Sequence, residues 1–167
     1  MDGINMERSK KTIIFDVTYN GHFGDGYKHL VLRRIEMLEN HTLVDLHNII
    51  QKSIGWTDPH LYSFFMGNKA WKNEDMEYTS TDADMDILDI ADQHPKLATI
   101  KIKQLNLRPR QRFLYVFDFG EDHHFKIKVT GFGTVQNGQK YPSLTHSEGI
   151  SPKQYPDLRL PKAKKKR

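Results

Sequence analysis

The run Phe113-Leu-Tyr-Val-Phe117 constrains this chain more than any other segment. Over Arg112 to Phe119, alternation puts Phe113, Tyr115, Phe117 and Phe119 on one side of a strand and Leu114 and Val116 on the other. A strand apolar on both faces belongs inside a sheet. It runs into Asp118-Phe-Gly-Glu-Asp122, where Gly120 permits a tight turn and Asp118 and Asp122 can accept backbone N–H bonds. Phe125, Ile127 and Val129 then alternate with Lys126, Lys128 and Thr130. That pattern predicts a hairpin whose second strand is the wet outer one.

The remaining elements follow from periodicity. Thr12 to Tyr19 alternates cleanly and His29 to Glu36 reads as its hairpin partner, with Gly21, Gly24 and Gly26 in the loop between. Thr42 with Asp45 resembles a capping box, and Leu43, Leu46, Ile49, Ile50 and Ile54 form a helical stripe ending at Gly55. His60 to Met66 and Ala98 to Lys103 are expected as strands, 74–86 as an acidic loop and Met85 to Asp92 as a short helix. Asn137-Gly138 is a turn signal. The sum is an α+β fold: a mainly antiparallel or mixed sheet with one principal helix, about 42–54, and one or two short ones. One domain is expected over 12–158, with a flexible segment over 1–11 and a basic disordered tail over 159–167.

Charge has to be located before it is interpreted. Of 25 basic residues, Lys162, Lys164, Lys165, Lys166 and Arg167 lie in the tail, leaving 20 against 21 acids elsewhere. The body is nevertheless polarised. Residues 74–92 carry eight acids and no base, whereas 93–160 carry eleven bases and five acids. No apolar run approaches the roughly 18 residues of a membrane helix, so no membrane role is expected. Zero cysteines excludes disulfides and thiolate metal sites and suits a reducing cytoplasm, the expected location.

Motifs that imitate known chemistry fail on spacing. The loop glycines do not match a phosphate-binding fingerprint. Asp118-Phe-Gly120 echoes the magnesium triplet of protein kinases, but the chain has no room for the other kinase elements. Asp82-x-Asp84-x-Asp86 starts like a calcium loop, yet its glycine position is Ile87 and its bidentate position is Gln93. His60, His123, His124 and His146 with Glu121 and Asp122 lack metal-ligand spacing, and adjacent strand residues point to opposite faces. No metal and no cofactor is assigned.

Five segments in order carry a family resemblance: Leu32-Arg-Arg-Ile35; Thr42-Leu-x-x-Leu46-His47-x-Ile-Ile-Gln51; Gly55-Trp-Thr-Asp-x-His60-Leu-x-x-Phe64; Tyr115-x-Phe-Asp-Phe-Gly-Glu-Asp122; and Tyr141-Pro142. Over about 12–156 the chain resembles the plasmid pRiA4b ORF-3-like family, an uncharacterised, plasmid- or mobile-element-associated group. Some members are labelled passenger TnpR-type proteins of an insertion element. Neither Ser9 nor Ser53 has the context of a resolvase nucleophile, and 136–167 is too polar and proline-marked for a helical DNA-reading module. Members commonly carry Trp where this chain has Leu32, Trp and His where it has His123 and Phe125, and cysteines where it has Leu144 and Ser151.

Two functional expectations follow. The first is a non-enzymatic interaction module whose partner is nucleic acid or another protein. Nucleic acid would be held without sequence specificity by Arg108, Arg110, Arg112 and the tail residues Lys162, Lys164, Lys165, Lys166 and Arg167. The second is an enzyme whose site joins His60 to Asp118, Glu121 and Asp122, one carboxylate serving as general base.

Overall fold

The structure, a computed structural model, describes residues 11–80 and 96–156. Eight strands form one sheet: β1 (Lys11–His22), β2 (Leu32–Leu38), β3 (Tyr62–Phe65), β4 (Glu77–Thr79), β5 (Lys96–Leu97), β6 (Arg112–Phe117), β7 (His123–Thr134) and β8 (Ser143–Glu148). Their spatial order is β5-β4-β3-β6-β7-β1-β2-β8. All neighbours are antiparallel except β4 and β5. The α-helix α1 (Leu43–Ile54) and two 3-10 turns, Glu74–Met76 and Ile102–Leu105, complete the described elements. The fold is α+β and mainly sheet.

The helix forms where the local code asks for it. Thr42 accepts the Asp45 backbone N–H, Asp45 accepts the Thr42 N–H, and Gly55 closes the helix at φ 76°. The buried stripe Leu43, Leu46, Ile50 and Ile54 joins one core with Phe15, Ile35, Phe113, Phe125 and Ile127 on the covered face of the sheet. Each such side chain contributes about 1.5–3 kcal/mol by leaving water. Tyr115 is fully buried there, and its hydroxyl is satisfied by His47 Nδ1 at 2.6 Å and Gln51 Nε2 at 2.9 Å. Burial lowers the His47 pKa to about 4, so the neutral ring accepts the Tyr115 proton.

β6 is dry on both sides because Phe65, Leu114 and Val116, on the other face, form a second small cluster with Ala70 of the β3–β4 loop. Four local expectations need correction. β7 is not outermost: it lies between β6 and β1, wet on one face only. Phe119 leaves the strand after Asp118 takes φ 58°, and is 38% exposed. Ala98 to Lys103 is not a strand: the Ile100 and Ala98 carbonyls accept the Leu43 and Val44 amides that α1 leaves unpaired at its start. Within the expected acidic loop, residues 74–79 form a 3-10 turn and β4. The expected helix Met85 to Asp92 and the calcium-like triplet lie outside the described residues.

Candidate functional site

Two places on the described chain concentrate chemistry, one at the end of the β6–β7 hairpin and one on the open face of the sheet. At the hairpin, Asp118 is 6% exposed. Its Oδ1 accepts the Gly120 and Glu121 amides at 3.1 and 3.2 Å, and its Oδ2 lies 3.4 Å from His60 Nε2. That imidazole nitrogen also lies 2.7 Å from the Tyr155 hydroxyl. The other two acids turn elsewhere. Asp122 Oδ1 takes His124 Nε2 at 3.0 Å, and the Glu121 carboxylate lies 3.8 Å from His22 Nδ1. Each acid therefore meets a different histidine, because residues 118–122 turn through two left-handed positions, Asp118 and Asp122.

His123 is the most enclosed of this group, with no exposed surface. Its Nε2 donates to the Gln154 carbonyl at 2.9 Å and its Nδ1 accepts the Tyr19 hydroxyl at 2.8 Å. Burial is the main reason its pKa falls to about 4, and nearby His22 adds to the effect. Burial also raises the Tyr19 phenol. The Gln154 bond reaches a strap, residues 149–155, that crosses the end of the helix. Trp56 Nε1 donates to the Pro152 carbonyl at 2.8 Å, and the Gln154 side chain bonds Thr57 and Asp58. From below, the buried Arg33 guanidinium donates to the Ser53, Glu148 and Gly149 carbonyls and to Ser151 Oγ. Of the four histidines at this end, His60 and His123 thus bond the strap, while His22 and His124 bond the acidic turn.

The open face is different. Strand register sets Arg112 beside Lys128, Lys128 beside Asp16, and Asp16 beside Arg34. One row along, Leu114, Lys126, Thr18 and Leu32 are neighbours. Asp16 is already occupied: Arg34 grips it with two bonds of 2.7 and 2.8 Å. Among the described residues, Arg112, Lys126 and Lys128 have no carboxylate partner within ion-pair distance. With Asp16, Thr18, Leu32 and Asn68 they line a shallow depression of about 330 Å³.

The structure therefore brings His60 and Asp118 together and leaves Glu121 and Asp122 facing other groups. Arg108 and Arg110 are exposed in the turn before β6, while Arg112 opens the strand and joins the cationic row. Lys162, Lys164, Lys165, Lys166 and Arg167 lie outside the described residues. Sequence reasoning left Lys126 and Lys128 out of the site, although their alternation with Ile127 marks a wet face. It also missed the Arg34–Asp16 pair and Trp71, which depend on which strands and loops are neighbours. Among the described residues, no group of three or more His, Asp or Glu side chains is arranged to hold a metal ion. No helix among them is long and apolar enough to cross a membrane.

Comparison with known proteins gives three findings. An uncharacterised protein, y4hQ of Sinorhizobium fredii, is 27% identical over 130 residues, covering 77% of this chain. The match covers 60% of the length of that relative. The crystal structure of a protein of unknown function, MM3350 of Methanosarcina mazei, superposes with a TM-score of 0.63 at 23% identity, covering 87% of this chain and 73% of that one, so the two share a fold. The family model described as plasmid pRiA4b ORF-3-like protein matches residues 23–155. That span includes the Arg33–Arg34 pair, the capped helix, the acidic turn and the strap, and the chain belongs to the plasmid pRiA4b ORF-3-like family.

Proposed function

We propose that the protein is a non-enzymatic binding module that holds a nucleic acid backbone on the open face of its sheet. The observation that carries this reading is the row of Arg112, Lys126 and Lys128, set side by side by strand register and left without acidic partners among the described residues. Like charges held together on the open face repel one another, an arrangement that an arriving polyanion relieves. Lys126 and Lys128 lie about 6.8 Å apart along β7, and Arg112 is one strand spacing of about 4.8 Å away. Phosphates meeting them release condensed counterions, so affinity falls steeply with salt. The tail lysines add to attraction without defining a site.

Binding to a mixed-sequence oligonucleotide, measured by fluorescence anisotropy over a salt series, tests the reading. Replacing both Lys126 and Lys128 by Gln is expected to weaken binding and to lower the slope of log affinity against log salt by about 1.5. Removing residues 161–167 is expected to weaken binding while leaving that slope difference in place. No binding at low salt, or a double variant with the parent slope, would end the proposal.

A second reading has one observation in its favour, the approach of His60 Nε2 to Asp118 Oδ2 at 3.4 Å. A carboxylate that orients an imidazole is the arrangement of a general base, and Tyr155 would then have to give way to substrate. A hydrolase substrate panel run on the parent and on His60→Ala tests it. Turnover lost in the variant supports an enzyme, and identical traces dismiss it.

A further inference from the structure

On the same face of the sheet as the cationic row, packed on Phe65, whose strand neighbour Leu114 lies beside Lys126, stands a half-exposed tryptophan. Trp71 lies in the β3–β4 loop with φ 61°, a left-handed conformation that bulky side chains rarely take. The strain is not offset by burial, since Trp71 is 54% exposed whereas Trp56, the other tryptophan, is 7% exposed. Two edge-to-face contacts orient the indole: Phe65 at 4.9 Å and 69°, and Phe119 at 4.9 Å and 85°. Phe119 is itself partly exposed, through the left-handed turn at Asp118. Asn68, three residues before Trp71, lines the depression together with Lys126 and Lys128.

An oriented, wet aromatic ring on the same sheet face as a cationic row matches what an unpaired base and its phosphates require. Every base has a π-face, so stacking on an aromatic side chain needs no particular sequence. A duplex presents phosphates but keeps its base faces stacked internally, and an acidic peptide has charge without aromatic planes. We infer that the open face takes single-stranded nucleic acid, with Trp71 as the stacking platform and Lys126, Lys128 and Arg112 on the phosphates. This rests on the backbone-binding reading proposed above and narrows its ligand.

The test uses the full chain with a single-stranded oligonucleotide, a duplex of the same total charge and polyglutamate. Because Trp56 is buried, a change of tryptophan emission on binding reports Trp71. The single strand is expected to change that emission and to bind more tightly than the duplex. Trp71→Leu is expected to weaken it roughly tenfold while leaving the duplex unchanged, and Trp71→Phe, which keeps a ring, to retain most of the affinity. The inference is overturned if Trp71→Leu weakens neither ligand or both alike, or if duplex or polyglutamate binds as tightly as the strand. Lys126→Gln/Lys128→Gln separates the two levels. If that variant loses affinity for strand and duplex alike while Trp71→Leu has no selective effect, backbone binding stands and the single-strand assignment falls. If it changes neither, both fall.

Discussion

At the scale of residues, the adjacent arginines Arg33 and Arg34 do unlike work because neighbours in a strand face opposite sides. Arg33 enters the covered face and pins the strap through carbonyl oxygens, whereas Arg34 reaches the open face and neutralises Asp16. His123 makes the strap sensitive to acid. Its folded pKa of about 4 lies below the ordinary 6.5, so between those values the unfolded chain binds more protons than the folded one. Its contribution is therefore complete above pH 6.5 and is lost as pH falls toward 4, up to about 3 kcal/mol. Urea unfolding from pH 7.5 to 4.5 should show stability falling with acid, and His123→Gln should flatten part of that slope. His47, with a folded value also about 4, supplies the same sign. A second residue is equally exacting. Gly149 turns the chain at φ 80°, and an added Cβ would run into the Leu30 carbonyl. Gly149→Ala is expected to cost at least about 2 kcal/mol, read as an earlier urea midpoint.

At the scale of elements, α1 offers a clean measurement. Thr42→Ala removes the acceptor for the Asp45 amide and should cost about 1 kcal/mol in thermal unfolding, with Asp45→Ala close to it and the double variant less than their sum. The helix was legible in the sequence because cap, stripe and terminal glycine are local signals. β6 and the wet-and-dry pattern of β7 were legible for the same reason. β8 was not: Ser-Leu-Thr-His-Ser-Glu is polar and mostly exposed, and its order comes from pairing with β2. The alternation of Ala98 to Lys103 misled because its carbonyls serve the start of α1. The candidate site was only half legible. Lys126 and Lys128 announce a wet face, but their meeting with Arg112 and the distance from His60 to Asp118 exist only once distant strands are in register.

At the scale of the whole molecule, the sheet interleaves the two ends of the chain, and β1 sits between β2 from its own half and β7 from the other. The β1–β7 ladder joins Lys11 to Thr134 at one end and His22 to His123 at the other. During synthesis the first strand therefore emerges long before the strand that will cover its second edge. Until more than a hundred further residues have followed, β1 offers unpaired amides and carbonyls to whatever is near. A fragment ending at residue 111 is expected to be collapsed but unfolded, sensitive to protease and prone to associate, whereas one ending at residue 156 resists digestion. A protease-resistant 1–111 fragment would contradict this order of assembly. Nonlocal closure of this kind also slows refolding, which lengthens the interval in which the far edge of β1 stays unpaired.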